Sequence, residues 1–403
     1  MTMETLPDRP AASKTLGWRQ ILPVVVIVCV YAAGTAAVLP VLPFHIREMG
    51  GSPLILGIII ASEALGQFAS APLFGQLSDR LGRKSVLLLC QSIAALSLLL
   101  LALAPNLVII LIARAMFGFT VGNISVTAAY IADHSSPDNR RQAMGIMMGA
   151  AGLGGIIGAG LSGLLSEISL NAPILASFVL VLFALLVTSL TLENDRPAER
   201  ETGERPSFKA ILAAPAIRLV VMVMLFHFFA YGMYMSQMPV FLGDTFIWDG
   251  HAFTAKELSY LIMADGAVNI FAQLVLMGWL SKYLTERQLI LVLFALLAIG
   301  FVTAGLASSI PVLLLAVFLI STGDALAKPT YMAALSNRVP TNRQGIVLGA
   351  AQSLVALADI TSPVIGGFIL GFALYGIWIG VAIATAMIGA VIVASRFPRP
   401  AAT

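Results

Sequence analysis

Residues 75–84 read Gly-Gln-Leu-Ser-Asp-Arg-Leu-Gly-Arg-Lys, and the stretch Gly278-Trp279-Leu280-Ser281-Lys282-Tyr283-Leu284 repeats the start of that segment 203 residues later. A second pair keeps the same offset: Pro137-Asp138-Asn139-Arg140 and Pro340-Thr341-Asn342-Arg343 are also 203 residues apart. Two separate matches at one displacement imply that the chain is built from two like-oriented halves. Each quoted segment is a polar, cation-bearing break between long apolar runs, so the repeated unit is a set of membrane spans joined by short loops.

Composition agrees with that reading. The chain has 403 residues, 59% hydrophobic and 11% charged, so about 240 apolar positions must be covered by something other than water. At ~20 residues per crossing this allows about twelve spanning helices and leaves little for a soluble domain. The apolar runs fall at about 21–43, 53–74, 85–103, 107–130, 142–165, 172–192, 216–239, 257–280, 287–307, 310–332, 345–370 and 373–394. The fold expected is an all-α integral membrane protein of twelve transmembrane helices in two pseudo-symmetric six-helix bundles. Its parts are a tail at 1–20, a first bundle at 21–192, a charged linker at 193–215, a second bundle at 216–394 and a tail at 395–403. The first run is too long for a signal-peptide core and reads as a retained span.

The net charge of +3 is a small difference between 23 basic and 20 acidic residues, and the placement of those residues says more. With the amino terminus in the cytoplasm, nineteen Lys and Arg lie on the cytoplasmic side and two, Arg47 and Lys256, on the other. That asymmetry places both termini in the cytoplasm and the chain in the cytoplasmic membrane. Cys29 and Cys90 both lie inside apolar runs and read as packing residues. No Walker sequence, nucleophile elbow or histidine pair at metal-ligand spacing occurs, so neither an enzyme, a cofactor, a metal site nor ATP-driven transport is expected. The cations are dispersed over loops, which gives nucleic-acid binding no support.

The segment from Gly75 to Lys84 resembles in full the loop signature of the major facilitator superfamily. Leu111-Ile112-Ala113-Arg114-Ala115-Met116-Phe117-Gly118 resembles its second motif, whose buried arginine is associated with proton coupling. The glycines 152, 154, 155, 158, 160 and 163 resemble the glycine-rich motif of its drug/proton antiporters, with Gly158-Ala159 in place of the family's Gly-Pro step. Ser362-Pro363-Val364-Ile365-Gly366-Gly367 looks like the counterpart in the other half. Leu39-Pro40-Val41-Leu42-Pro43, Tyr130-Ile131-Ala132-Asp133 and Asn342-Arg343-Gln344-Gly345 are similar to the tetracycline/proton antiporter branch, over essentially the whole chain. Two departures set it apart: Tyr31 stands where that branch carries an acid, and Asn269 stands near the place of its coupling histidine. The resemblance implies two rocking halves around a central site, a cytoplasmic latch at Gly75, Asp79, Arg80, Gly82, Arg83 and Asp133, and hinge positions at Gly154, Gly158, Gly163 and Pro363.

An ionisable side chain near the bilayer centre costs at least ~2.5–3.5 kcal/mol, so each one needs a partner or a proton path. The candidates for coupling are Glu63, Arg114, Asp265, Asp324, Lys328 and Asp359. Asp324 and Lys328 are four residues apart on one face and are expected to form an ion pair. Asp265, Asn269 and Gln273 share a face of the eighth span, and Gln352, Asp359 and Ser362 a face of the eleventh, as expected for helices beside a wet cavity. Tyr31, Gln67, Asn123, Tyr234 and Gln237 complete the expected cavity lining. His227 reads as a neutral, hydrogen-bonded core histidine, with titration as the alternative. The function implied is proton-coupled export of a small organic compound by a monomer in the lipid bilayer. A proton-coupled uptake symporter is the alternative, and a non-transporting membrane sensor stands further off.

Overall fold

The computed structural model describes residues 18–135, 137–192, 214–339 and 344–397. Among the described residues ten helices are long and apolar enough to cross a membrane, and two shorter apolar helices, Leu22–Ala36 and Leu107–Gly118, take the places of the first and fourth spans. The fold is all-α, as the sequence predicts. The spans are Trp18–Ala36, Pro53–Leu81, Arg83–Ala102, Leu107–Asp133, Pro137–Ser166 and Asn171–Thr191, then Pro215–Thr245, Ala255–Tyr283, Glu286–Gly305, Ile310–Ser336, Gln344–Gly371 and Tyr375–Arg396. The expected linker and both tails lie almost wholly outside the described residues, as does the Pro340–Arg343 repeat.

Four details depart from the sequence reading. The first span ends at Ala36 and turns into a short helix, Leu42–Glu48, instead of running on to 43. The fourth span is broken by a single 3-10 turn, Phe119–Val121, beside Gly118 and Gly122. The eighth passes through a π-helical turn at Ala272–Leu276. Between the seventh and eighth spans lies a two-residue hairpin, Ile247–Trp248 against His251–Ala252, closed by Asp249 and Gly250 with φ of 47° and 87°. That pair of left-handed residues is what a tight two-residue hairpin turn requires.

Helix starts are written into the loops. Ser52 and Asn106 accept hydrogen bonds from the first free backbone N–H groups of the second and fourth spans. Thr254 with Glu257, and Thr285 with Gln288, form capping boxes at the eighth and ninth. The 203-residue repeat also reaches the helix ends. Lys84 Nζ donates to the carbonyls of Ser189 and Leu192 at the end of the sixth span, at 2.8 and 2.7 Å. Arg287, at the equivalent position, donates to Val393 and Ala394 at the end of the twelfth. Each cation donates to carbonyls of a last helical turn, where backbone partners run out, Val393 also accepting from the Phe397 N–H.

Buried apolar residues of the last six spans gather into one cluster running from Ile217 to Phe397, and those of the first six into two others, one of which also takes in Ala255 of the eighth span. The two sets meet where the second span packs on the eleventh and the fifth on the eighth. Glycine makes these contacts possible: a Cβ on Gly57 would lie 2.2 Å from the Pro363 carbonyl oxygen, and one on Gly367 2.3 Å from that of Pro53.

Candidate functional site

Between the two sets of spans lies a cavity of about 430 Å³. Its polar lining is Glu63, Gln67, Arg114, Ser236, Asp265, Asp359 and Ser362, set among apolar walls that include Met235 and Met238. Arg114 is buried at 2% exposure and forms an ion pair with Glu63 across the second and fourth spans. Its guanidinium also lies 4.9 Å from the centre of the Phe117 ring. Gly118 lets the fourth span come close enough for this pair, since a Cβ there would sit 2.1 Å from the Glu63 carbonyl oxygen. Bringing one charge into the membrane has thus brought its counter-charge with it.

The second half contributes carboxyls without bonded cations. Asp265 accepts a hydrogen bond from the Ser321 hydroxyl of the tenth span. Asp359 lines the same cavity and has no hydrogen bond or ion pair among the described residues. The field of Lys328 reaches it from the tenth span. The expected pair of Asp324 with Lys328 is not formed: Asp324 Oδ1 points inward and lies 3.8 Å from His227 Nε2, while Lys328 is exposed. Four-residue spacing gave them one helical face, but packing of the seventh span against the tenth turned the carboxylate toward the histidine. His227 is fully buried but not hydrogen-bonded, contrary to its expected role as a satisfied core residue.

Other expected lining residues are placed elsewhere. Tyr234 is 2% exposed, stacked on Trp378 at 5.6 Å and tilted against Phe301, so it belongs to the core of the second bundle. Gln237 is fully buried, and its side-chain amide donates to the carbonyls of Pro53 (3.3 Å) and Pro363 (3.2 Å), tying the two sets of spans together. Tyr31 and Asn123 line a separate pocket of about 100 Å³ between the first, fourth and fifth spans. There the Tyr31 hydroxyl donates to Thr120 at 3.1 Å. Gln273 donates to Asn269 at 2.6 Å, one turn apart, at the π-helical turn and outside the central cavity. Gln352 lies between the tenth and eleventh spans against Met332.

At the loop after the second span, Gly82 has φ of +87°, which a side chain would strain, and it separates two helices that would otherwise run together. Arg83 Nε donates to Asp133 at 3.1 Å and its Nη1 to the Ser78 hydroxyl at 2.5 Å. Arg80 is exposed. Gly75 and Asp79 lie outside the residues whose side chains are described. In the second half the bracket recurs with its charges reversed: Glu286, equivalent to Arg83, receives both guanidinium nitrogens of Arg338 at 3.0 and 2.6 Å. The glycines named as hinges are points of close packing. Cβ atoms on Gly154 and Gly158 would lie 2.2 and 2.1 Å from the Cys29 and Ala33 carbonyl oxygens of the first span. One on Gly163 would lie 2.1 Å from the Ser259 hydroxyl of the opposite half, and Pro363 faces Gly57.

Sequence reasoning missed the bonds that close one end of the cavity. Arg47 Nη1 lies 2.6 Å from Asp244, which also receives the Tyr375 hydroxyl, and Lys256 forms an ion pair with Glu167. Each pair joins one half to the other. With Gln237 they account for all hydrogen bonds and ion pairs between the halves among the described residues, and all lie on the face opposite the Gly82 loop. The signal was available: Arg47 and Lys256 are the two cations that depart from the charge asymmetry.

A charged cavity between two six-helix bundles, sealed at one face by polar bonds, is the architecture of a membrane transporter that carries a small molecule through alternating access. The family model for the Major Facilitator Superfamily matches residues 24–363 and 247–403, and the chain belongs to that family. It is 30% identical over 342 residues to the class C tetracycline resistance protein of Escherichia coli, covering 83% of this chain and 85% of that one. It is 28% identical to Multidrug resistance protein 2 of Bacillus subtilis (strain 168), again over 83% and 85%. In three dimensions it resembles the nucleoside transporter NupG with a TM-score of 0.82 at 12% identity, over 93% of this chain and 99% of that one, a likeness of fold. The protein is a transporter and not an enzyme.

Proposed function

We propose that this chain exports a small organic compound across the cytoplasmic membrane in exchange for protons, with both termini in the cytoplasm and the halves 21–192 and 216–394 rocking about the central cavity. The observation that carries this reading is the pair of cavity carboxyls, Asp265 and Asp359, neither bonded to a cation. A carboxyl in that position is neutral when protonated and attracts a cationic or polarised cargo when ionised, so proton and cargo exclude each other at one site. Arg114 does not serve as their counter-charge, because Glu63 already neutralises it. The names of the relatives, tetracycline and multidrug resistance proteins, support export of drug-like compounds. With the Gly82 loop in the cytoplasm, the closed face is the external one and this state loads from within. The Arg83–Asp133 bracket then belongs to the latch that governs the cytoplasmic side, and a single chain suffices for the cycle.

The test is transport into inside-out vesicles with an acidified lumen, using tetracycline and ethidium as probes. Asp265→Asn keeps an acceptor for Ser321 and is expected to abolish gradient-driven accumulation while the protein still folds; Asp359→Asn is expected to do the same. Undiminished accumulation in either variant removes that residue from the coupling site.

A further inference from the structure

His227 is completely buried in the seventh span, and its ring is held edge-on by Phe228, Phe294 and Tyr331 with centroids 5.2, 5.5 and 5.5 Å away. Neither ring nitrogen has a hydrogen-bond partner, and neither does Asp324 Oδ1, which is also buried. An orphaned buried polar atom costs about 1–3 kcal/mol, and native interiors hold few of them. Here the orphans face each other: Nε2 and Oδ1 are 3.8 Å apart, about 1 Å beyond a hydrogen bond.

The surroundings of the pair are defined on every side. The seventh span adds Tyr231, one turn beyond the histidine, and the ninth adds Phe294, its charges Glu286 and Arg287 lying two turns away at its start. The tenth carries Asp324, Lys328 and Tyr331. The twelfth brings no charged side chain before Arg396, and the second meets the seventh at Gln237, more than two turns away. Asp265 of the eighth span and Asp359 of the eleventh both feel the charge of Asp324. Asp324 is thus coupled through its charge to two carboxyls that face the cavity, and it meets the Tyr231 hydroxyl and the His227 imidazole of the seventh span.

We propose that His227 is a second proton-holding residue, exchanging a proton with Asp324 behind the cavity; this rests on the proton-coupled reading above. In the step, the Asp324 carboxyl O–H bond breaks and an N–H bond forms at Nε2 of a histidine protonated on Nδ1, leaving carboxylate and imidazolium. The pair's total charge does not change. A proton parked on His227 is out of reach of a cargo bound at Asp265 and Asp359, so cargo can occupy the carboxyls before the proton has left the protein.

The experiment uses the full chain in lipid nanodiscs with ¹⁵N-labelled histidine, the His227 signals being assigned from His227→Gln among the four histidines. Expected is an imidazolium signal for His227 that gives way to neutral imidazole as pH is raised, and that is absent in Asp324→Asn, where the ring stays neutral throughout. A His227 that is neutral at every pH in the wild type, or that titrates identically in Asp324→Asn, overturns the proposal. In the vesicle assay, His227→Gln is expected to shift the pH profile of proton-driven ethidium accumulation, and an unshifted profile also overturns it. If the wild type moves no ethidium or tetracycline with the gradient, the coupling reading fails, and the ¹⁵N titration still decides whether the two residues share a proton.

Discussion

Replacing Gln237 with leucine isolates one bond between the halves from the stability of the fold. The glutamine is fully buried, its amide nitrogen serves two carbonyls, and its own Oε1 is buried with no partner. The acceptors, Pro53 and Pro363, lie in the second and eleventh spans, where their carbonyls retain helical partners, so leucine leaves no new orphan and removes an old one. The bond to Pro363 stays within one half and is made whether the face opposite the Gly82 loop is open or closed. The bond to Pro53 crosses between halves and exists only when that face is closed. A net hydrogen bond contributes about 1 kcal/mol, and 1.4 kcal/mol is tenfold, so the closed population is expected to fall about fivefold relative to the open one. Spin labels at Ile168→Cys and Phe372→Cys, in a chain carrying Cys29→Ala and Cys90→Ala, report this directly. Both positions are exposed, at 75% and 65%, and belong to loops of opposite halves on the closed face. Double electron–electron resonance is expected to show a long-distance population that grows about fivefold, with thermal stability unchanged or raised. An unchanged distance distribution in a folded Gln237→Leu protein refutes the assignment of Gln237 to the closed state.

Three further outcomes follow from the packing and the charges. Glu63→Gln leaves Arg114 buried without its counter-charge, a loss of about 3–5 kcal/mol, so its melting temperature should fall well below that of the Glu63→Gln, Arg114→Gln double variant. Gly158→Ala drives a Cβ to 2.1 Å from the Ala33 carbonyl oxygen and should cost about 1–3 kcal/mol, whereas Gly155→Ala, which meets nothing within 4 Å, should melt with the wild type. Reversing both charges of the second bracket, with Glu286→Arg and Arg338→Glu, should restore most of the melting temperature that either single reversal loses.

The architecture was legible because its causes are local. Apolar runs of span length and the positive-inside asymmetry need no three-dimensional information, and the 203-residue repeat is written in the chain itself. The acids of the cavity were legible for the same reason, since a charge inside an apolar run is conspicuous wherever it points. What could not be read is the rotation of each helix against its neighbours. Tyr234 and Gln237 lie three residues apart on one span, yet one packs into a bundle core and the other bonds across the interface. Asp324 has the spacing to meet Lys328, but the seventh span offers it a histidine 97 positions away in sequence, and no periodicity encodes that choice. The breaks at Phe119–Val121 and Ala272–Leu276 were equally hidden, because neither contains the proline that would announce an interruption.

The two ion pairs that close the cavity are open to the medium. The side chains of Arg47 and Asp244 are 58% and 21% exposed, and those of Lys256 and Glu167 38% and 55%. Pairs of this kind contribute about 0.2–1 kcal/mol each and weaken as the Debye length shrinks from about 10 Å at 0.1 M salt to about 3 Å at 1 M. Salt on that side therefore acts as an effector of the open state, binding to no defined site, while the buried Gln237 bond and the glycine contacts set a floor that screening does not reach. The balance between closed and open, and with it the side on which the cavity spends its time, carries a dependence on the ionic strength of one compartment alone.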